Sequence, residues 1–234
     1  DFSQTDPAGE RVERFLLAAQ RAMAEGEYSL AAQRLIYARE AQPKNVAVLR
    51  LLTLAFWQAG NLEAAARSVR DWTRADPKRP AAHRFTARIY EDMGAIDLAE
   101  QAAERAADRG PGDAGAWERL GRLRLALMDR EGALQALERA ERIGISLEGL
   151  LDLALARSLS GDLGGELSAC ERATSLEPDS PVAWSRYAHA LARSDLLSEC
   201  IAACERALRL GGDPEVSELL ARARKIAPRV LPAA

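Results

Sequence analysis

The chain has 234 residues, of which 48% are apolar and 29% are charged, and its formal net charge is −3. This length allows one or two compact domains or one continuous array, and the composition is typical of packed amphipathic helices. The charge balance excludes the strongly basic character that phosphate binding requires, so no nucleic-acid partner is expected. No apolar run reaches the length of a membrane span, so direct membrane insertion is not expected.

Small and turn-forming residues recur along the chain at a fixed distance of 34 positions. After one deleted residue, a second alanine series, which includes Ala106 and Ala140, resumes at Ala173 and Ala207. Such a period is the signature of stacked helix–turn–helix units that bury their apolar faces against each other. The residues that carry the first spacings are Ala31, Ala65, Ala99 and Ala133, then Gly26, Gly60 and Gly94, then Pro43, Pro77 and Pro111.

The period predicts the organisation of the whole chain. Residues 1–11 form a polar lead-in, and a capping helix over 214–226 covers the apolar side of the last repeat before a tail at 227–234. Each repeat is expected to hold two helices, with a glycine ending the first and a proline following the second. The six predicted repeats span residues 12–45, 46–79, 80–113, 114–146, 147–180 and 181–213.

The fourth repeat carries the most complete set of these residues, namely Trp117, Leu120, Gly121, Ala133 and Ala140. Two helices can cross closely only where one of them offers little or no side chain. Gly121 and Ala133 are therefore expected to mark the crossing of the two helices in this repeat.

Two repeats depart from the pattern. Trp72 occupies a position that holds alanine in neighbouring repeats, so its indole must either swing outward or widen the spacing between repeats two and three. Local widening is expected there. In the fifth repeat, Glu166 is expected to pair with Arg157, because a lone buried charge is costly to desolvate. Two successive glycines at 164–165 also weaken the second helix, so the fifth repeat is predicted to be the least stable.

The side chains that usually carry chemistry point to structural roles. Cys170, Cys200 and Cys204 occupy small core positions, so neither a disulfide framework nor a metal site is predicted, and no cofactor is expected. No phosphate loop, nucleophile elbow or His-Glu-x-x-His run is present, so the sequence does not predict an enzyme. Unpaired cysteines favour a cytoplasmic location. A periplasmic one stays open, because the sequence starts at Asp1 and a signal peptide could have been removed.

The order of these residues resembles that of the tetratricopeptide repeat family, and the resemblance covers about residues 12–226. It implies an all-α fold of the α-α superhelix class, a right-handed solenoid of antiparallel helix pairs. In this family the first helix of each pair lines a concave groove, which usually holds a peptide or a partner's helix. Besides the fourth repeat, the matching residues are Tyr90, Gly94, Ala99, Ala106 and Pro111 in the third repeat and Trp184, Ala188 and Ala207 in the sixth.

The resemblance also assigns groove positions, which are apolar in the first repeat and rich in arginine in the middle repeats. Arginine suits bidentate contacts with carboxylates, so the expected partner is a protein or peptide with acidic and apolar residues, bound across repeats one to four. The alternative is that these arginines pair with neighbouring carboxylates on a solvated face. The groove residues would be Leu16, Gln20 and Met23, then Arg50, Leu54 and Trp57, then Arg84, Arg88, Glu91 and Asp92, then Glu118, Arg122 and Leu125.

The favoured function is a non-enzymatic protein–protein interaction scaffold or assembly adaptor that holds a peptide segment or a helix in the groove. One alternative is a regulatory repeat domain that changes curvature when a peptide binds. Another is a self-assembling scaffold, such as an accessory factor of secretion or pilus assembly, that self-associates through its last helix or its N-terminal end.

Overall fold

The computed structural model describes residues 7–230, and over that range the chain forms thirteen α-helices and no strand. Consecutive helices are joined by short turns, so each helix packs against the one that follows it within the same unit. The helices are α1 (Pro7–Ala24), α2 (Tyr28–Ala41), α3 (Val46–Gln58), α4 (Leu62–Ala75), α5 (Pro80–Asp92), α6 (Ile96–Arg109), α7 (Ala114–Ala126), α8 (Arg130–Ile143), α9 (Leu147–Leu159), α10 (Leu163–Leu176), α11 (Pro181–Arg193), α12 (Leu197–Arg209) and α13 (Pro214–Val230).

The helices group into two compact units. Unit 1 comprises residues 1–111 and contains α1 to α6; unit 2 comprises residues 112–234 and contains α7 to α13. In unit 2, α7 also contacts α9, and α11 contacts both α9 and α13, so the first helices of successive pairs lie side by side. This repeated packing of helix pairs confirms the predicted fold class, all-α of the α-α superhelix type. The exact repeat boundaries stay a prediction.

Local sequence explains where the helices begin. Asn61 precedes α4, and its side chain accepts a hydrogen bond from the backbone N–H of Ala64, while Asp162 does the same for Gly165 at the start of α10. Such a cap satisfies one of the backbone donors that a helix start leaves without a partner. Residue Gly60, just before Asn61, adopts a φ of 75°, a left-handed conformation that glycine accepts without steric cost.

Both terminal helices are longer than predicted. Part of the expected lead-in, residues 7–11, belongs to α1, because proline suits the first turn of a helix and Val12, in the next turn, is buried in the core. The last helix, α13, continues beyond residue 226 because Ala227 is buried and extends the apolar stripe of Val216, Leu220 and Ala223. Residues 1–6 and 231–234 of the predicted lead-in and tail lie outside the described residues.

Of the two expectations about unusual core residues, the Glu166–Arg157 pair is wrong, and the local widening at Trp72 stays a prediction. Trp72 does not swing outward: it is fully buried and its ring centroid lies 5.6 Å from that of Phe85. Glu166 is buried as expected, but it pairs with Arg193 of α11 and not with Arg157. Arg157 instead contacts Glu141 of α8 at 3.0 Å, because its long side chain reaches the preceding helix pair.

The predicted close approach at Gly121 is present, although the facing side chain is that of Leu137. A Cβ atom added to Gly121 would lie 2.5 Å from Leu137 Cγ, and both residues are buried. We expect Gly121→Ala to lower the free energy of unfolding by about 1–3 kcal/mol, because the packed core must shift to admit the methyl group. Urea denaturation measures this change.

Gly115 provides a matched control on the same helix. It is exposed, and an added Cβ atom would come no closer than 3.5 Å to the Asp113 side chain. Gly115→Ala should therefore leave stability unchanged or raise it slightly, because alanine is the better helix former. Equal stability of the two variants would contradict the assigned crossing at Gly121.

Candidate functional site

The first-helix face of unit 1 carries most of the predicted groove residues. We use this name for the side chains of α1, α3 and α5 that the groove positions assign. Arg50, Arg84 and Arg88 are exposed, and Trp57 is half-buried among them. Of the others, Gln20 and Asp92 are exposed, whereas Leu16, Met23, Leu54 and Glu91 are half-buried.

Trp57 is the centre of a cluster on this face. The Arg88 guanidinium carbon lies 4.2 Å from the centroid of the Trp57 ring. The indole N–H donates a hydrogen bond of 2.5 Å to Asp92 Oδ2, and the ring of Phe85 contacts the indole edge-on at 6.3 Å. Arg88, Asp92 and Phe85 all belong to α5, so this helix holds the tryptophan of α3 from three directions.

This arrangement orients a cation on an apolar platform. A guanidinium stacked over an indole is attracted by the negative face of the ring, and its N–H groups can still donate in the plane of the guanidinium. Asp92 uses a carboxylate oxygen to fix the indole. Arg84 and Glu91 also have interactions of their own within the chain. The sequence left two interpretations of these arginines, a site that recognises a partner and a solvated face whose charges pair within the chain. The first-helix face has features of both.

The three predicted groove residues in unit 2 differ in their surroundings. Both carboxylate oxygens of Glu118 accept hydrogen bonds from Ser146, one from its backbone N–H and one from its hydroxyl, each at 2.7 Å. Ser146 in turn caps α9, so the carboxylate is occupied in holding the start of that helix. Arg122 is exposed and has an interaction within the chain, and Leu125 is half-buried.

The first helices of the last two repeats also present apolar side chains, which the sequence analysis did not single out. Leu155 of α9 and Val182 of α11 are 38% and 55% exposed. The groove positions that the family resemblance assigns are the second, fifth, ninth, twelfth and thirteenth of each repeat. Leu155 and Val182 stand at the ninth and second positions of their predicted repeats, so applying these positions to repeats five and six would have found them. Asp152 belongs to the same helix as Leu155; burial raises the pKa of its carboxyl, and the Arg122 guanidinium acts against that shift.

The cysteines behave as core residues, as predicted. All three are buried thiols, and burial raises the pKa of Cys170 and of Cys204 to about 12. Across the described part of the chain, no group of three His, Cys, Asp or Glu side chains is placed to hold a metal ion. None of the described helices has the length and apolar character needed to cross a membrane.

Solved structures share this arrangement of helices at low sequence identity. A structure of MamA protein is 18% identical, with 82% of this chain and all of that chain covered and a TM-score of 0.67. A tetratricopeptide repeat protein from Parabacteroides merdae ATCC 43184 is 17% identical, with 94% and 88% covered and a TM-score of 0.72. YrrB, described as a tetratricopeptide repeat protein with an unusual peptide-binding site, is 18% identical, with 83% and 99% covered and a TM-score of 0.70.

Sequence comparison adds a family assignment. No curated protein matches this chain in sequence. Two models of the tetratricopeptide repeat match residues 22–89 and 80–123, and both lie in the region where the 34-residue period is unbroken. These matches identify residues 22–123 as tetratricopeptide repeats, and solved tetratricopeptide repeat structures share the fold over most of the chain.

Proposed function

We propose that the protein is a non-enzymatic interaction scaffold whose first-helix face of unit 1 binds an acidic, partly apolar peptide segment of another protein. The family supports the general role, since its fold presents side chains from successive helices for contact with proteins or peptides. The peptide-binding site that is described for YrrB supports the same role by analogy.

The observation that carries the finer proposal is the Trp57 cluster. Arg88 is stacked on the indole, and the indole is fixed by Asp92, so little side-chain freedom is left to lose when a ligand binds. The stacked guanidinium can pair with a carboxylate, and the half-buried Leu54 offers an apolar contact on α3, the helix that carries Trp57. Aromatic and arginine side chains in such positions are the usual anchors of protein interfaces.

Binding to peptides of controlled composition tests the proposal. The probe is a short fluorescein-labelled peptide in which Glu and Asp alternate with Leu and Phe, compared with the same peptide carrying Gln and Asn in place of the acids. We expect the double variant Arg84→Glu, Arg88→Glu to bind the acidic probe at least about tenfold more weakly, because two attractive charges become repulsive. Fluorescence polarisation measures the affinity.

A second variant separates the platform from the charge. Trp57→Ala leaves the net charge unchanged and removes the stacking surface, so it should weaken binding of the acidic and the amide probes alike. The control, Arg142→Glu with Arg209→Glu, makes the same charge change on exposed second helices of unit 2 and should bind as the wild type does. Unchanged affinity of the Arg84→Glu, Arg88→Glu variant would refute the assignment of the first-helix face.

A further inference from the structure

A second candidate surface lies on the opposite helices of unit 1, along α4. Three adjoining cavities of about 500, 630 and 450 Å³ follow this helix, and we call them together the α4 cleft. The first and second share Arg39, Asp71 and Arg74, while the first and third share Arg70 and Arg74. The cavities therefore form one continuous depression between α2, α4 and α6.

The α4 cleft is basic in a chain whose net charge is −3. Six cationic side chains line its walls, against the carboxylates of only Glu40 and Asp71. Burial lowers the pKa of His83, which also lines the third cavity, so this imidazole adds no charge at neutral pH. The six cations are Arg39, Lys44, Arg67, Arg70, Arg74 and Arg105.

The internal contacts leave most of the donors of these arginines unused. Asp71 is shared between Arg74, at 3.4 Å, and Arg39, at 4.0 Å. Arg70 uses its Nε–H for the backbone carbonyl of Ala66, a neighbour on its own helix. Arg67 has no hydrogen-bond or ion-pair partner within residues 7–230. A guanidinium has five N–H donors, so several of them remain available to an incoming acceptor.

Below the arginines, the first cavity has a mostly apolar floor. Ile36 of α2 and Phe56 of α3 are half-buried there, and Ala64 of α4 is buried. The hydroxyl of Ser68, which also lines the cavity, is already used in a hydrogen bond with Thr53. An acceptor group would therefore meet the arginines at the walls, while an apolar side chain would meet the floor.

We propose that the α4 cleft is a second interaction surface, which binds an acidic segment of a partner protein with an apolar side chain between its carboxylates. Arginine pairs with carboxylates through two parallel hydrogen bonds, which suits the walls. The recessed floor can be reached by a protruding peptide side chain and not by the flat surface of a bilayer. A scaffold with this second surface can hold two segments at once, on opposite helices of the same unit.

Photocrosslinking distinguishes this surface from the first-helix face. The probe is a short acidic peptide with a photoactivatable leucine, added to the full chain, and mass spectrometry locates the crosslinks. We expect crosslinks on α2 and α4 that the double variant Arg67→Gln, Arg74→Gln loses, with binding at that position weakened roughly tenfold. The variant Arg84→Glu, Arg88→Glu should keep these crosslinks, even if the first-helix face binds nothing.

Five outcomes would overturn the proposal, and three of them concern the crosslinks. They are crosslinks confined to α1, α3 and α5, crosslinks on α4 that survive Arg67→Gln, Arg74→Gln, or equal crosslinking by the matched amide peptide. The fourth is sedimentation of the protein with vesicles of anionic lipid that depends on Arg67 and Arg74. Light scattering over a concentration series provides a further check. Dimers that dissociate in the Arg67→Gln, Arg74→Gln variant would make the occupant a second copy of this chain and refute a separate partner.

Discussion

Trp72→Ala is expected to lower the free energy of unfolding by about 3–5 kcal/mol, the usual cost of truncating a fully buried aromatic side chain. The indole is completely shielded from solvent and packs in a core cluster with Leu49, Ile89 and the ring of Phe85. Truncation would remove these contacts and leave a cavity between α4 and α5. Urea denaturation followed by circular dichroism measures the change.

The repeat pattern alone would predict that Trp72→Ala stabilises the protein, because alanine is the common residue at this position. Trp72→Phe is the informative control. It keeps an aromatic ring and removes an indole N–H that has no hydrogen-bond partner, so its cost should be about 1 kcal/mol. A Trp72→Ala variant as stable as the wild type would show that the indole contributes nothing to the core.

Arg193→Met is the second substitution with a large expected effect, at about 3 kcal/mol of lost stability. The side chain of Glu166 is only 3% exposed, and Arg193 donates to both of its oxygens. Without the guanidinium, the carboxylate would stay in the interior with no compensating charge, and that is the costly way to break such a pair. Chemical denaturation of the variant and the wild type measures the loss.

Removing the other partner should cost much less. The Arg193 side chain is 47% exposed, so water can solvate its guanidinium when Glu166→Leu removes the carboxylate. The remaining loss is the interaction of Glu166 with the start of α10, about 0.3–1 kcal/mol. The double variant should recover most of the stability that Arg193→Met loses. Equal costs for the two single variants would contradict this asymmetry.

The fold could be predicted because the residues that specify each helix pair recur at a fixed spacing in the sequence. A distance of 34 residues between small residues places each helix pair, and Gly121 marks a real close approach. Whether the Trp72 side chain points into the core could not be predicted. A repeat pattern describes only the side-chain size that the average neighbouring repeat accommodates. Here α5 offers the indole the small side chain of Ala82 and the ring of Phe85. A repeat pattern describes one repeat at a time, so it does not show a change of side-chain volume that two adjacent repeats share.

The candidate site was only partly predictable for a different reason. Groove positions identify which residues stand on a first helix, but not which contacts their side chains make. Asp92 binds an indole N–H and Glu118 holds the start of α9, and neither contact follows from periodicity. The α4 cleft was missed because the family resemblance directs attention to the first helices, although Arg67, Arg70 and Arg74 recur at helical spacing and could have been noticed.

The ion pairs around the fifth helix pair change how unit 2 should come apart. Glu141 of α8 forms ion pairs with Arg157 of α9 and Arg172 of α10. Glu166 of α10 forms an ion pair with Arg193 of α11. The successive glycines lower the intrinsic stability of α10. Much of the stability of α10 in the native state therefore comes from its interfaces with the neighbouring helix pairs. In a one-dimensional array, strong coupling between neighbours suppresses the isolated melting of a weak link. The fifth repeat, which its glycines alone predict to be the least stable, is therefore expected to open together with α8 and α11, and its amides to exchange at the rate of theirs.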